Sequence, residues 1–92
     1  MQIKEPKRNN KYDVYILLCS DKSLYTGISN DLENRLKKHR KGEGSKYVRS
    51  RLPFKLIYTE EFKNRSEASK RENEIKGWSR KEKFSKLELG DR

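Results

Sequence analysis

Eight residues, Tyr12–Cys19 (YDVYILLC), are rich in β-branched and aromatic side chains, and after the polar turn Ser20-Asp21-Lys22 a similar run follows, SLYTGIS. Two such runs across so short a polar turn form a β-hairpin. Regular pairing about a turn centred near Asp21 sets Tyr15 opposite Gly27 and Leu17 opposite Tyr25, which puts Tyr15 and Tyr25 on one face. A glycine opposite Tyr15 leaves a gap in the side-chain layer, where a ligand or another backbone can approach closely. This reading depends on register, since a slip of one residue exchanges the faces.

The rest of the composition limits what can be built on that hairpin. Ninety-two residues make one domain, and only 30% are hydrophobic, so the core is small and leans on long charged side chains for cover. Nine aromatics (five Tyr, three Phe, one Trp) supply more packing material than a disordered chain carries. Twenty-four Lys and Arg against fourteen Asp and Glu leave +10, which points to a polyanionic partner. Nucleic acid fits better than a membrane: no stretch approaches the ~20 apolar residues of a spanning helix, and no signal sequence opens the chain. The expected location is the cytoplasm. One cysteine, Cys19, precludes an internal disulfide, and with one histidine there is no Cys/His zinc cluster, so any metal sits mostly on oxygens.

Residues 1–10, polar and carrying Pro6, read as a flexible leader, and residues 11–89 as the single domain. Asn30, with Glu33 three residues on, is the expected cap of a helix running to about Arg40; its stripe is Leu32 and Leu36, with Arg35 and His39 spaced i, i+4 beside it. Gly42 and Gly44 break it. Residues 41–52 read as a cationic loop, Pro53 closes it, and FKLIYTEEF alternates as a third strand. Asn64, with Glu67, opens a helix to about Trp78 whose stripe is Ala68, Glu72, Ile75 and Ser79. A carboxylate on that stripe asks for an explanation. Ser79 caps a last short helix carrying Phe84 and Leu87. Trp78, Phe54, Phe62, Ile57, Leu56 and Phe84 read as core or near-core.

The combination of Asp13-Val14-Tyr15, Tyr25-Thr26-Gly27, Arg35 ten residues later and Glu72 in the following helix resembles the GIY-YIG nuclease superfamily. The resemblance covers roughly residues 11–88. It looks most like the small standalone bacterial members, the YhbQ/YazA-like, UPF0213-type group, whose tail pattern is similar to Ala68-x-x-x-Glu72-x-x-Ile75-Lys76-x-Trp78. The resemblance implies an α+β, two-layer fold, a three-stranded antiparallel sheet flanked by helices in the order β-β-α-β-α-α. It also implies hydrolysis of phosphodiester bonds with a single divalent ion, Mg2+ or Mn2+, the kind of endonuclease used in DNA repair. Tyr25 matches the tyrosine proposed to activate the attacking water, Tyr15 its partner, Arg35 the arginine on the scissile phosphate, and Glu72 the carboxylate on the metal. His39 falls near the attacking group, and Gly27 where the backbone approaches substrate. Asp13 stands for the first glycine of the signature, Thr26 for its isoleucine, and Ile28 for a lysine found in some relatives.

These roles are physically coherent. A bidentate arginine and a divalent ion stabilise charge on phosphoryl oxygens, and Mg2+ commonly takes one or two protein carboxylates, the rest being water and substrate oxygens. A phenol, only about 0.1% ionised at pH 7, needs help from cationic neighbours. Each residue also has a plainer reading: Tyr15 and Tyr25 as core aromatics, Arg35 as a partner of Asp31 or Glu33, Glu72 as a surface residue, His39 as a solvated one. In the basic segment, Lys38, Lys46, Arg49 and Arg51 are expected on phosphates and Tyr47 on an exposed base, the alternative being solvated charge. The expected partner is nucleic acid, DNA before RNA, bound by a monomer or weak dimer. The alternative function is a non-catalytic nucleic-acid-binding module that retains the fold.

Overall fold

A computed structural model describes residues 11–90; the leader expected at residues 1–10 lies outside them. Tyr12–Cys19 forms β1 and Leu24–Ser29 forms β2, joined by a turn in which Asp21 Oδ1 accepts from the Ser23 amide at 3.0 Å. Phe54–Phe62 forms β3, and the sheet order is β2-β1-β3, antiparallel throughout. The register is the one parity predicts, with Tyr15 opposite Gly27 and Leu17 opposite Tyr25. The helices are α1 (Leu32–Arg40), α2 (Lys46–Arg49), α3 (Arg65–Lys76) and α4 (Arg80–Lys86). The architecture is α+β, as expected, and among the described residues no helix is long and apolar enough to cross a membrane.

β1 is buried on both faces because helices cover both sides of the sheet. Val14 and Ile16 pack with Ala68 and Ile75 of α3, ringed by Tyr12, Ile57, Phe62, Trp78 and Leu87. Tyr15 and Leu17 point the other way, against Leu36 of α1 and Val48 of α2, with Tyr25, Leu32, Leu52 and Phe54 around them. A single strand therefore anchors two small clusters, which is how a chain so poor in apolar residues builds a core.

Three local expectations are corrected. The cap of α1 is Asp31, not Asn30: its side chain accepts from the Asn34 amide at 3.3 Å. Ser29 Oγ accepts from the Asp31 amide at 2.9 Å, which advances the turn by one residue and takes Glu33 out of box position. The cationic loop contains a helical turn, α2, because Ser45 caps it and Val48 is fully buried behind it. Leu56 is 39% exposed on the edge strand β3, next to a bulge opposite Ile16 and Leu17. At α3, Asn64 accepts from the Glu67 amide at 2.9 Å, whereas the reciprocal box forms only at α4, between Ser79 and Glu82.

Candidate active site

Strand alternation and the fixed register set Tyr15, Tyr25 and Gly27 on the face of the sheet that α1 covers. Leu36 seats α1 there, and His39, three residues on, is carried onto the same buried side. The result is a hydrogen bond of 2.8 Å between Tyr15 Oη and His39 Nε2. Tyr25 completes the group, its ring centre 6.3 Å from Tyr15 and 5.3 Å from His39, while Phe54 of β3 presents its edge to the imidazole at 6.1 Å. His39 is only 1% exposed, so it is not a solvated helix residue.

Two glycines make room for this pair. A Cβ on Gly27 would lie 2.7 Å from Tyr15 Oη and 3.1 Å from Tyr25 Cε2, and one on Gly44 would lie 2.6 Å from His39 Nδ1. The gap foreseen opposite Tyr15 therefore exists, but the Tyr15 ring fills it, and Gly27 is buried rather than open to a ligand. The sequence marks Gly44 only as a helix breaker. A small residue on the far side of a helical histidine was the one signal that its backbone would close over the imidazole.

The electrostatics follow from this burial. The Tyr15 phenol is pushed well above its ordinary range, chiefly by burial and then by Tyr25 and Glu72, with Arg35 pulling the other way. Burial, helped by the Arg35 charge, pulls the His39 imidazole below its usual value. At neutral pH the pair is thus a protonated phenol beside a neutral imidazole. Although α3 packs on the opposite face, its Glu72 carboxylate acts on the Tyr15 phenol, as does the Arg35 guanidinium from α1.

Glu72 keeps a side-chain exposure of 16% and pairs with Lys76 at 3.1 Å, an i, i+4 contact with a half-exposed lysine. Among the described residues no three His, Cys, Asp or Glu side chains gather as a metal cage. A single carboxylate, Glu72, fits an ion such as Mg2+ that keeps most of its waters and shares substrate oxygens. It does not suit an ion needing a full protein shell. Arg35 is half-buried and, among the described residues, pairs with neither Asp31 nor Glu33. It borders two polar clefts, each of about 190 Å³. One is lined with Asp31, Asn34 and Lys38, the other with Tyr12, Ile28 and Arg65, and Ser29 and Asn30 border both.

The basic segment is only partly gathered here. Lys38 stands in the cleft with Arg35, and the Tyr47 ring lies 5.9 Å from that of Tyr25. Arg51 stacks 3.8 Å over the Tyr47 ring and bonds Asp21 Oδ2 at 2.9 Å, tying α2 to the hairpin turn instead of standing free for phosphate. Its pairing also covers Tyr47, which is 37% exposed. The Arg49 stem lies against Gly42, whose Cβ would come within 3.0 Å of Arg49 Cγ, and Lys46 is exposed at the start of α2. Sequence reading missed Asp21 as the partner of Arg51, because the two are thirty residues apart, and missed Arg65 beside Arg35.

Comparison with known proteins agrees with this geometry. The model of the GIY-YIG catalytic domain matches residues 11–86. A UPF0213 protein of Staphylococcus saprophyticus is 47% identical over 81 residues, 88% of this chain and 99% of its own length. Another, from Haloquadratum walsbyi, is 48% identical over 82 residues, 89% of this chain and 92% of its own. The solution structure of a UPF0213 protein from Bacillus halodurans superposes with a TM-score of 0.57 at 44% identity, covering 86% of this chain and 84% of that one. That of a protein from E. faecalis gives 0.62 at 36% identity, covering 95% and 96%. A hairpin that sets two signature tyrosines on one face, an arginine and a glutamate acting on one of those phenols, and relatives matched over nearly their whole length have one reading: this chain belongs to the GIY-YIG family of nuclease domains.

Proposed function

We propose that the protein is a divalent-metal-dependent endonuclease hydrolysing DNA phosphodiester bonds, directed by substrate structure more than by sequence. The observation that supports this reading is the buried Tyr15–His39 hydrogen bond with the Tyr25 ring beside it, on a phenol that also feels the charges of Arg35 and Glu72. Of the two phenols, Tyr25 is the more exposed and is the one that water can reach. The attacking water gives its proton to Tyr25 Oη as Tyr25 passes its own to Tyr15 and Tyr15 passes its own to His39 Nε2. A neutral imidazole held at 2.8 Å is available to receive it. Arg35 holds the phosphoryl oxygens through paired N–H donors. Mg2+ or Mn2+, held by Glu72 with waters and substrate oxygens, supplies Lewis-acid stabilisation of the developing charge. The surrounding lysines and arginines contact phosphates, which position a duplex without reading its bases.

The second reading, a binding module without catalysis, draws on the Glu72–Lys76 pair, which already occupies the metal-binding carboxylate. An i, i+4 pair with a half-exposed lysine is worth only about 0.3–0.5 kcal/mol, so an ion and a phosphate displace it readily. Nicked, branched, single-stranded and duplex DNA incubated with Mg2+ or Mn2+ separates the readings. Cleavage is expected to fall at least roughly a hundredfold in Glu72→Ala while the fold is retained. Equal cleavage by both proteins, or none by the wild type on any substrate and metal, would overturn the proposal.

A further inference from the structure

Of the two clefts that border Arg35, one faces Lys38 but also the Asp31 carboxylate, while the other holds a second guanidinium, that of Arg65, and no acid. Counting formal charges, the first cleft carries two cations and one anion and the second two cations alone. Among the described residues Arg65, like Arg35, is engaged by no carboxylate. Two guanidiniums lining one small polar cleft repel each other unless an anion lies between them. The cleft is otherwise lined by Tyr12, Ile28, Ser29 and Asn30, whose amide adds a neutral donor.

The place of Arg65 on its helix adds direction. Arg65, Ser69 and Glu72 are spaced i, i+4, i+7, so they share one side of α3, with Arg65 about 10 Å from Glu72 along the axis. Arg35, which acts on the Tyr15 phenol, faces the same cleft as Arg65. We infer that the Arg35–Arg65 cleft is a second phosphate subsite, holding a backbone phosphate of the cleaved strand beside the scissile one. The subsite rests on the nuclease reading and deepens it: Arg35 is shared between neighbouring phosphates, and Arg65 sets the path of the strand along α3.

The test compares Arg65→Ala with Lys70→Ala. Both are exposed and both substitutions remove one charge from α3, but Lys70 is turned about 140° from Arg65. Binding of labelled single-stranded and duplex DNA is measured in EDTA, without cleavage, over a series of salt concentrations. Arg65→Ala is expected to weaken binding about tenfold and to lower the slope of log K against log salt by about one contact. Lys70→Ala is expected to change both less, and Arg65→Lys to restore the slope but not the full affinity. If wild type binds and Arg65→Ala matches Lys70→Ala in affinity and slope, the subsite is refuted while the nuclease reading stands. If wild type binds no DNA at any salt, both fall together.

Discussion

Thr26 and Gly27 are neighbours in β2 yet belong to different regions of the molecule. Thr26, opposite Ile16, faces the apolar cluster beneath α3; Gly27, opposite Tyr15, faces the polar group beneath α1. On the first side the packing is ordinary: aliphatic residues, an alanine that lets the helix come close, and one buried hydroxyl, Thr26 Oγ1, with no protein partner. On the other side a buried phenol and a buried imidazole share a hydrogen bond through Nε2, while His39 Nδ1 is buried with no protein partner, and glycines stand where any larger residue would push the two rings apart. Within the apolar cluster a changed side chain is expected to cost stability alone. On the other side, under the proposed function, a change of packing is expected to reach the chemistry as well.

Gly27→Ala breaks that contrast most severely. Its methyl group would displace the Tyr15 ring from inside, and the ring, being buried, has nowhere flexible to go. Overpacking of this kind costs about 1–3 kcal/mol, measurable by urea unfolding, and a shifted phenol is expected to lower cleavage by roughly a hundredfold. Unchanged cleavage in a destabilised protein would mean that the two faces are not different in kind. Thr26→Val should show the opposite. It removes a hydroxyl that is buried without a partner while keeping the shape, so stability is expected to rise by about 1 kcal/mol with cleavage unaltered.

The smallest effect is a pH dependence confined to the polar side. The His39 imidazole is held below its unfolded value, so below that value the unfolded chain binds more protons than the native one. Its contribution is therefore intact above pH ~6.5 and declines as pH falls through 6.5 toward the lower native value. Melting temperatures taken between neutral and mildly acidic pH should show a decline in the wild type that is reduced in His39→Gln. A parallel decline in both would assign the dependence to other groups.

The features legible in the sequence are those governed by strict local rules. Alternation along two strands and a short turn determine the register, and with it the company Tyr15 keeps. Arg35 and Glu72 stood out by residue type and spacing, and the charges of both are felt by the Tyr15 phenol. What stayed hidden depended on pieces far apart in the chain. The burial of His39 requires Gly44 and Phe54 to close around it, and nothing in the helix itself distinguishes it from a solvated residue. Counting charges in residues 41–52 concealed Val48, whose burial makes a helical turn there worthwhile. Arg51 looked available for phosphate because its partner, Asp21, belongs to another turn.

Tyr15 and Ile16, adjacent on β1, are pinned into opposite clusters. The peptide link between them makes assembly of the scaffold and assembly of the proposed catalytic group a single event. An intermediate with one layer docked and the other loose would lack either the proposed relay or its foundation. Turnover in a partly denatured sample should accordingly track the native fraction in direct proportion, with no weakly active species between.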